Sequence, residues 1–253
     1  MKIALSIAGF DPTGGAGLQE DLKVFHALDV YGLSSAAALT AQNTRGVKEA
    51  VPVEARFLRK QLEVLLSDIT PDAVKIGMLY SADNARVVER IIRKYSLHNI
   101  VLDPVIRPSR GKRLAEARLP AAIRDVLLPL CAVVTPNLHE AAVLAGMRIR
   151  DAEDMASAAV RIRGFGPNCV IITGGHLEGE PTDILYDGRF TRLRGKRSQG
   201  EFHGTGCAFS SALTAMLARG HSLREAARLA KRYMGICFKR TVAVGSGMRL
   251  FNP

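Results

Sequence analysis

A glycine-rich turn precedes an apolar run in the segment HGTGCAFSSAL. Gly204, Thr205 and Gly206 can point their backbone N–H groups into one concavity, and the start of the following helix adds a partial positive charge. Such a concavity stabilises an anion, including a phosphoryl group during its transfer. Cys207 would be the first side chain on that helix, where the pKa of a thiol is lowered. We therefore predict an anion hole beside Cys207, which as a thiolate could accept a proton from a substrate hydroxyl, or which could contribute shape and polarity as much as basicity; the alternative is a tight turn with a buried cysteine.

The elements that would position this turn alternate along the chain. Apolar runs of strand length alternate with segments of helical periodicity, and residues 182–194 predict a hairpin that turns at Asp187-Gly188. Repeated strand–helix units predict a mostly parallel sheet with helices on both faces. Right-handed crossovers place the carboxyl ends of the strands on one edge, where ligands bind in sheets of this class. With no linker in the sequence, we expect a single domain over residues 1–253.

The composition limits the partners that we expect. The chain has 253 residues, and 35 Lys and Arg against 24 Asp and Glu give a net charge of +11. The basic residues are scattered over predicted helix faces, which favours a solvated surface or phosphate-bearing ligands over a nucleic-acid interface. No apolar run reaches the roughly 18 residues that span a membrane, so we expect no membrane partner. The 4 cysteines form no CxxC pair and no zinc-like spacing, which indicates a reduced, cytoplasmic protein.

Polar residues and glycines follow the predicted strands repeatedly. Neither a Walker A loop nor a GxGxxG fingerprint occurs in the sequence. The segments that occur instead are AGFDPTGGAG, AQNT, KIGM, LDPV, TPNLHE and TGGH, before HGTGC. In this order they resemble the hydroxymethylpyrimidine and phosphomethylpyrimidine kinases of thiamine biosynthesis, which belong to the ribokinase-like superfamily. AQNT and HGTGC are the most specific of these motifs.

The resemblance implies a fold and an activity. The fold is expected to be of the α/β class, a ribokinase-like three-layer α/β/α sandwich with a mostly parallel central sheet. The implied activity is ATP-dependent phosphorylation of 4-amino-5-hydroxymethyl-2-methylpyrimidine and of its monophosphate. ATP and Mg²⁺ are the implied cofactors, and a homodimer is the implied assembly.

The resemblance also assigns roles to individual residues. The positions that match those around the pyrimidine are Gly9, Asp21, Gln42 and Met78. The positions that match the nucleotide and phosphate region are Asp103, Asn137, Glu140, Thr173 and Gly175. Asp103 and Glu140 would hold Mg²⁺ through oxygen atoms, in part through water. Gln42 suits an aminopyrimidine edge because its amide both donates and accepts hydrogen bonds.

One position departs from the family pattern. Thr173 stands where the family usually has a lysine that neutralises charge on the transferring phosphate, and threonine can only donate a neutral hydrogen bond. Arg110, in the segment RPSRGKRL after LDPV, is the candidate to replace that charge because arginine binds phosphate bidentately. A solvent-facing loop position is the alternative for this arginine.

Three other functions remain open at this point. A pyridoxal kinase on the same scaffold shares much of the pocket, although Gln42 with Asn43-Thr44 favours the pyrimidine. A catalytically weakened pyrimidine-binding or regulatory protein would explain the missing lysine. Nucleic-acid binding has only the net charge in its favour, with no recognisable motif.

Overall fold

The computed structural model describes residues 1–106, 115–174, 182–195, 198 and 200–253. Its strands follow the alternation in the sequence, with additional short strands that the pattern did not predict. The strands are β1 (Lys2–Phe10), β2 (Val30–Asn43), β3 (Gly46–Pro52), β4 (Ala73–Ile76), β5 (Ile100–Leu102), β6 (Val133–Val134), β7 (Cys169–Ile172), β8 (Thr182–Tyr186), β9 (Phe190–Arg194), β10 (Phe202–His203), β11 (Thr241–Val242) and β12 (Arg249–Phe251).

Most of these strands form one large sheet. Within the described residues it has nine strands in the order β3-β2-β1-β4-β5-β6-β7-β8-β9. The six consecutive strands β2-β1-β4-β5-β6-β7 are parallel to one another. β3 pairs antiparallel with β2, and the predicted hairpin at the other edge is confirmed as antiparallel β8 and β9. β10, β12 and β11 form a separate small sheet.

The helices cover both faces of the large sheet. Apolar side chains of α2, α3, α5 and α6 pack in one cluster on one face, and those of α1, α7 and α8 pack in another on the opposite face. This arrangement confirms the three-layer α/β/α sandwich. The helices are α1 (Gly17–Ala27), α2 (Ala55–Leu66), α3 (Ala82–Lys94), α4 (Leu119–Ala122), α5 (Leu138–Ala145), α6 (Ala152–Arg163), α7 (Thr205–Ala218) and α8 (Leu223–Cys237).

The helix that periodicity predicts over residues 118–130 is broken into three pieces. α4 is followed by a π-helical turn at Ile123–Leu127 and a 3₁₀ turn at Leu128–Leu130. Pro129 supplies no backbone N–H, so the α-helical hydrogen-bond ladder cannot continue through it. Among the described helices, none is both long enough and apolar enough to cross a membrane.

Glu20 is an ionisable side chain buried between α1 and α8. Its side chain is fully buried in the folded protein. Lys23 Nζ lies 2.8 Å from Glu20 Oε2, and Tyr233 approaches from α8. Burial raises the pKa of Glu20 to about 7, and Lys23 only partly opposes that shift. Because the folded protein holds this proton more tightly than the unfolded chain does, stability must fall as the pH rises from the ordinary glutamate range to about 7.

We expect Glu20→Gln to stabilise the protein by roughly 1–3 kcal/mol more at about pH 8.5 than at about pH 5. At the higher pH the native protein must bury a charged carboxylate, and glutamine removes that cost. Urea unfolding at both pH values measures the difference. Glu63→Gln is the control because Glu63 is partly exposed and its pKa is lowered by a hydrogen bond from Lys94. Equal effects of the two variants, or a gain independent of pH, would contradict the assignment.

Candidate active site

Several of the residues singled out in the sequence gather at the carboxyl edge of the large sheet. Gly9 lies at the end of β1, and Asp103 directly follows β5. Thr173 directly follows β7 and forms a parallel bridge with Asn137. The amino end of α7 reaches the same edge, because a Cβ added at Gly206 would lie 3.7 Å from Asp103 Oδ2. The predicted strand-end clustering is therefore present in the structure.

The turn before α7 packs tightly against the loop that follows β1. Gly204 has a φ of 81°, and a Cβ there would lie 1.8 Å from the carbonyl oxygen of Gly15. Asp11 joins the two segments, since its Oδ2 accepts from the amide of Ala16 at 2.9 Å and lies 2.9 Å from His203 Nε2. Burial works against ionisation of Asp11, but hydrogen bonds from His203 and Thr13 lower its pKa below the usual value.

No side chain of the described residues caps the amino end of α7. Thr205 and Gly206 are exposed there, and Cys207 is partly exposed. Free backbone N–H groups at a helix start form a ready anion site. The geometry is thus compatible with the anion hole predicted from HGTGC, which remains a prediction.

We expect Gly204→Ala to destabilise the protein by at least about 2 kcal/mol more than Gly220→Ala does. Both glycines have a positive φ, 81° and 88°, so both variants carry the same conformational strain. A Cβ at Gly220 would meet nothing within 4 Å, whereas a Cβ at Gly204 would overlap the backbone of Gly15. Urea unfolding of the two variants separates the overlap from the strain. Equal losses of stability in the two variants would show that the loop containing Gly15 moves to accommodate the added Cβ at little cost.

The expectation of a thiolate at Cys207 is wrong for this structure. Burial raises the pKa of the Cys207 thiol to about 12, although Lys75 acts in the opposite direction. Asp103 and Asp21 raise it further, because a thiolate would be a third negative charge in the same small volume. At neutral pH the protein therefore holds Cys207 as a neutral thiol, and its contribution is shape and polarity rather than a preformed base.

Alkylation of Cys207 should be slow at neutral pH and should still be rising above about pH 9, because only the thiolate reacts. Mass spectrometry after timed exposure to iodoacetamide measures the rate at this site. Cys131 is the internal control, since it is 2% exposed and should stay unmodified in the folded protein. A rate that levels off below about pH 7 would restore the thiolate assignment.

Asp21, which the resemblance places around the pyrimidine, lies in the interior of the fold, and its contact with the substrate remains a prediction. It is fully buried in α1, where its carboxylate pairs with Lys75 Nζ at 2.6 Å. It also accepts hydrogen bonds from the hydroxyls of Ser6 at 2.5 Å and Ser211 at 2.7 Å. Burial is the largest single influence on Lys75 and opposes its charge, but Asp21, Cys207 and Asp103 together outweigh burial and raise the lysine pKa above its usual range. Lys75 was not predicted from the sequence; a lysine inside the apolar run AVKIGM was the available signal.

Two buried carboxyl groups lie side by side at the nucleotide end of the candidate site. Glu140 Oε2 accepts from the amide of Asn137 at 3.0 Å, and its Oε1 accepts from the amide of Ile106 at 3.4 Å. Burial and the neighbouring Asp103 raise the pKa of Glu140 to about 8. Burial likewise raises the pKa of Asp103, against the opposing charge of Lys75. Both groups therefore resist ionisation when no cation is near.

This pair of carboxyl groups fits Mg²⁺. Within the described residues no group of three or more His, Cys, Asp or Glu side chains could hold a metal ion. Mg²⁺ is commonly held by one or two carboxylates together with waters and substrate phosphates, so two groups suffice. A divalent cation between Asp103 and Glu140 would offset the charge repulsion that raises their pKa values.

The other end of the candidate site contains the residues assigned to the pyrimidine. A Cβ at Gly9 would lie 3.0 Å from Met78 Sδ, so these two residues are in close contact. Met78 packs with Val47, which pairs across β2 and β3 with Gln42. Gln42 is partly exposed at a register shift near the end of β2. Gly9 and Met78 are therefore in contact and Gln42 is linked to Met78 through Val47, while their role in binding a pyrimidine remains a prediction.

The segment that includes Gly247 supports the AQNT motif, a contact that sequence analysis missed. The amide of Gly247 donates to Thr44 Oγ1 at 3.2 Å, and the amide of Met248 donates to the Thr44 carbonyl at 2.9 Å. A Cβ at Gly247 would lie 2.1 Å from that carbonyl oxygen. Two further predicted residues, Gly175 and Arg110, lie outside the described residues.

Comparison with known proteins identifies the family. Residues 11–252 match the family described as phosphomethylpyrimidine kinase. The chain belongs to this family. It is 40% identical over 248 residues to a hydroxymethylpyrimidine/phosphomethylpyrimidine kinase of Bacillus subtilis, covering 96% of this chain and 92% of that protein. Members of the family are kinases, and the identification made from the strand-end motifs is confirmed.

Solved structures of two kinases superpose on this chain. A phosphomethylpyrimidine kinase from Clostridium difficile has a TM-score of 0.82 at 37% identity, covering 92% of this chain and 97% of that one. A pyridoxal kinase from Staphylococcus aureus, in complex with AMP-PCP and pyridoxal, has a TM-score of 0.91 at 34% identity, covering 99% and 93%. The ribokinase-like architecture is therefore shared with kinases of two substrate classes.

Proposed function

We propose that the protein transfers the γ-phosphoryl group of ATP to the hydroxymethyl group of 4-amino-5-hydroxymethyl-2-methylpyrimidine, and then phosphorylates the monophosphate. The observation that carries this proposal is the uncapped amino end of α7, which faces Asp103 at the edge where Gln42, Gly9 and Met78 gather. A phosphoryl acceptor bound by those three residues would have its hydroxymethyl group beside Cys207.

The residues of the chain divide the work between binding and charge stabilisation. The amides of Gly204, Thr205 and Gly206 would bind the oxygens of the transferring phosphoryl group, where negative charge is concentrated. Mg²⁺, held by Asp103 and Glu140, would neutralise phosphate charge. Since phosphoryl transfer through a loose transition state needs little basic assistance, a neutral Cys207 thiol is compatible with the reaction.

A pyridoxal kinase is the second candidate, and the AMP-PCP and pyridoxal complex of the Staphylococcus aureus relative supports keeping it. An ADP-release assay with ATP and Mg²⁺ compares hydroxymethylpyrimidine, its monophosphate, pyridoxal and pyridoxine. We expect the highest kcat/KM for hydroxymethylpyrimidine. Higher kcat/KM for pyridoxal would overturn the pyrimidine assignment while leaving the kinase assignment intact. Binding of the pyrimidine without ADP release would favour the weakened binding protein that Thr173 suggests.

We expect Gln42→Ala to weaken pyrimidine binding by roughly 1–3 kcal/mol and to leave ATP affinity nearly unchanged. The reason is that Gln42 lies at the end of β2, beside Met78 and away from Asp103 and Glu140. Calorimetry with each ligand separately measures both affinities. Lys48→Ala is the control, since Lys48 is an exposed residue of the neighbouring strand β3. Equal losses from both variants would remove Gln42 from the binding site.

We also propose a homodimer formed through the β1–β3 end of the sheet. Phe10 pairs in register with Leu39, and Leu39 pairs in register with Val51, so three side chains form an apolar row across three strands. Their exposed fractions are 42%, 46% and 45%. A second copy of the chain would bury this row. Sedimentation should give a dimer for the native protein and a monomer for Leu39→Glu.

The cysteines support a cytoplasmic location for this enzyme. All four are free thiols, and three of them are buried. Free thiols persist in the reducing environment of the cytoplasm.

A further inference from the structure

Asp21 and Lys75 form an ion pair between α1 and β4. Both side chains are 0% exposed, and their charged atoms are 2.6 Å apart. A buried ion pair is weak evidence for stability, because each charge loses its hydration and apolar side chains of similar size often do as well. Lys75 also interacts electrostatically with Cys207 and Asp103, so the pair lies close to both residues.

The Asp21 carboxylate joins four elements of the fold. Asp21 belongs to α1, and its Oδ1 binds Lys75 from β4. The same Oδ1 accepts from Ser211 of α7 at 2.7 Å, and Oδ2 accepts from Ser6 of β1 at 2.5 Å. Ser211 lies one helical turn after Cys207. The carboxylate therefore connects the first turns of α7 to the two central strands.

We propose that Asp21, Lys75 and Ser211 are positioning residues for phosphoryl transfer. The ion pair orients the Asp21 carboxylate. The carboxylate in turn fixes the position of α7 relative to the sheet, so that the amides at the amino end of α7 can contact the phosphoryl group. This inference rests on the proposed function and deepens it. Displacing a group that stabilises a transition state by about 1 Å can lower the rate about a hundredfold. The hydrogen bond from Ser211 to Asp21, which fixes the position of α7, is therefore expected to affect the rate of phosphoryl transfer.

Substrate binding is expected to be largely independent of this connection. Gly9, Gln42 and Met78 lie on strands or directly after them, and none belongs to α7. The positioning effect should therefore lower kcat much more than it raises KM for either substrate. A residue that merely stabilised the fold would instead lower the amount of active enzyme and leave the turnover of the folded fraction unchanged.

Ser211→Ala and Ser6→Ala form a matched pair for the test. Each variant removes one hydroxyl hydrogen bond from the same buried carboxylate, but only Ser211 belongs to α7. Thr214→Val is the control within α7, because the Thr214 hydroxyl bonds to the carbonyl of Ser210 in its own helix. The three variants are compared by thermal unfolding, by KM for ATP and pyrimidine, and by the single-turnover rate of phosphoryl transfer.

We expect Ser211→Ala to lower the single-turnover rate by about tenfold or more, with each KM within about twofold of wild type. Ser6→Ala should shift the melting temperature by a similar amount but keep the rate within about twofold of wild type. Thr214→Val should also keep the wild-type rate. Equal rates for Ser211→Ala and Ser6→Ala would overturn the proposal, and so would a loss confined to KM.

The double variant Asp21→Asn with Lys75→Met tests the ion pair itself. It removes both charges together, so no buried charge is left unpaired. The amide of the introduced asparagine can still form hydrogen bonds with the two serine hydroxyls. We expect a folded protein whose single-turnover rate is lowered about tenfold or more. A folded double variant with the wild-type rate would show that the charges do not position α7. If the double variant does not fold, the comparison of Ser211→Ala with Ser6→Ala still tests whether the Asp21 carboxylate positions α7.

The wild-type protein separates this inference from the proposed function. Wild-type turnover of hydroxymethylpyrimidine is measured first. If the wild type transfers phosphate to pyridoxal instead, the same variants are tested with pyridoxal, since the connection acts on α7 and not on the acceptor. If the wild type transfers phosphate to no acceptor, the proposed function fails and the positioning proposal fails with it. Failure of the positioning proposal alone appears as wild-type rates in Ser211→Ala.

Discussion

The backbone of the turn before α7 rests directly on the backbone of the loop after β1, and the whole site depends on that contact. A side chain at Gly204 would overlap the carbonyl of Gly15, and one at Gly17 would lie 2.2 Å from the carbonyl of Gly9. These close approaches bring the amino ends of α1 and α7 to the same edge. Two helix amino ends carry partial positive charge of the same sign, so their convergence favours anions in the space between them. Asp11 already occupies part of that space.

The fold was predictable because the patterns that specify its strands, helices and turns lie within short segments of the sequence. Strand–helix alternation and turn residues predicted the layers, the mostly parallel sheet and the β8–β9 hairpin correctly. β3 was missed because GVKEAVP alternates only weakly and is half exposed. The small sheet was missed because its strands have only two or three residues, too short for a period to appear.

The candidate site was predictable only where a motif lies next to its strand. Asp103 and Thr173 follow strands directly, Asn137 comes after β6 at the start of α5, and all three lie at the predicted edge. Asp21 lies within α1, and the resemblance alone does not reveal whether a helical side chain faces the pocket or the sheet. The prediction of a lowered pKa for Cys207 was wrong for a related reason. The residues that bury the thiol, and the two neighbouring carboxyl groups that raise its pKa, belong to segments distant in sequence. These are tertiary properties that spacing along the chain does not encode.

The hydrogen bond between Gly247 and Thr44 spans 203 positions of the sequence. Contacts of such separation carry a large loop-closure entropy and form late in folding. During synthesis the chain grows from the amino end, so β1, β2 and the AQNT segment emerge long before the segment that holds Thr44 in place. The substrate end of the site is thus left incomplete on the nascent chain. An immature chain would be unable to recognise its substrate fully, and binding competence would arise only after the segment around Gly247 has been synthesised.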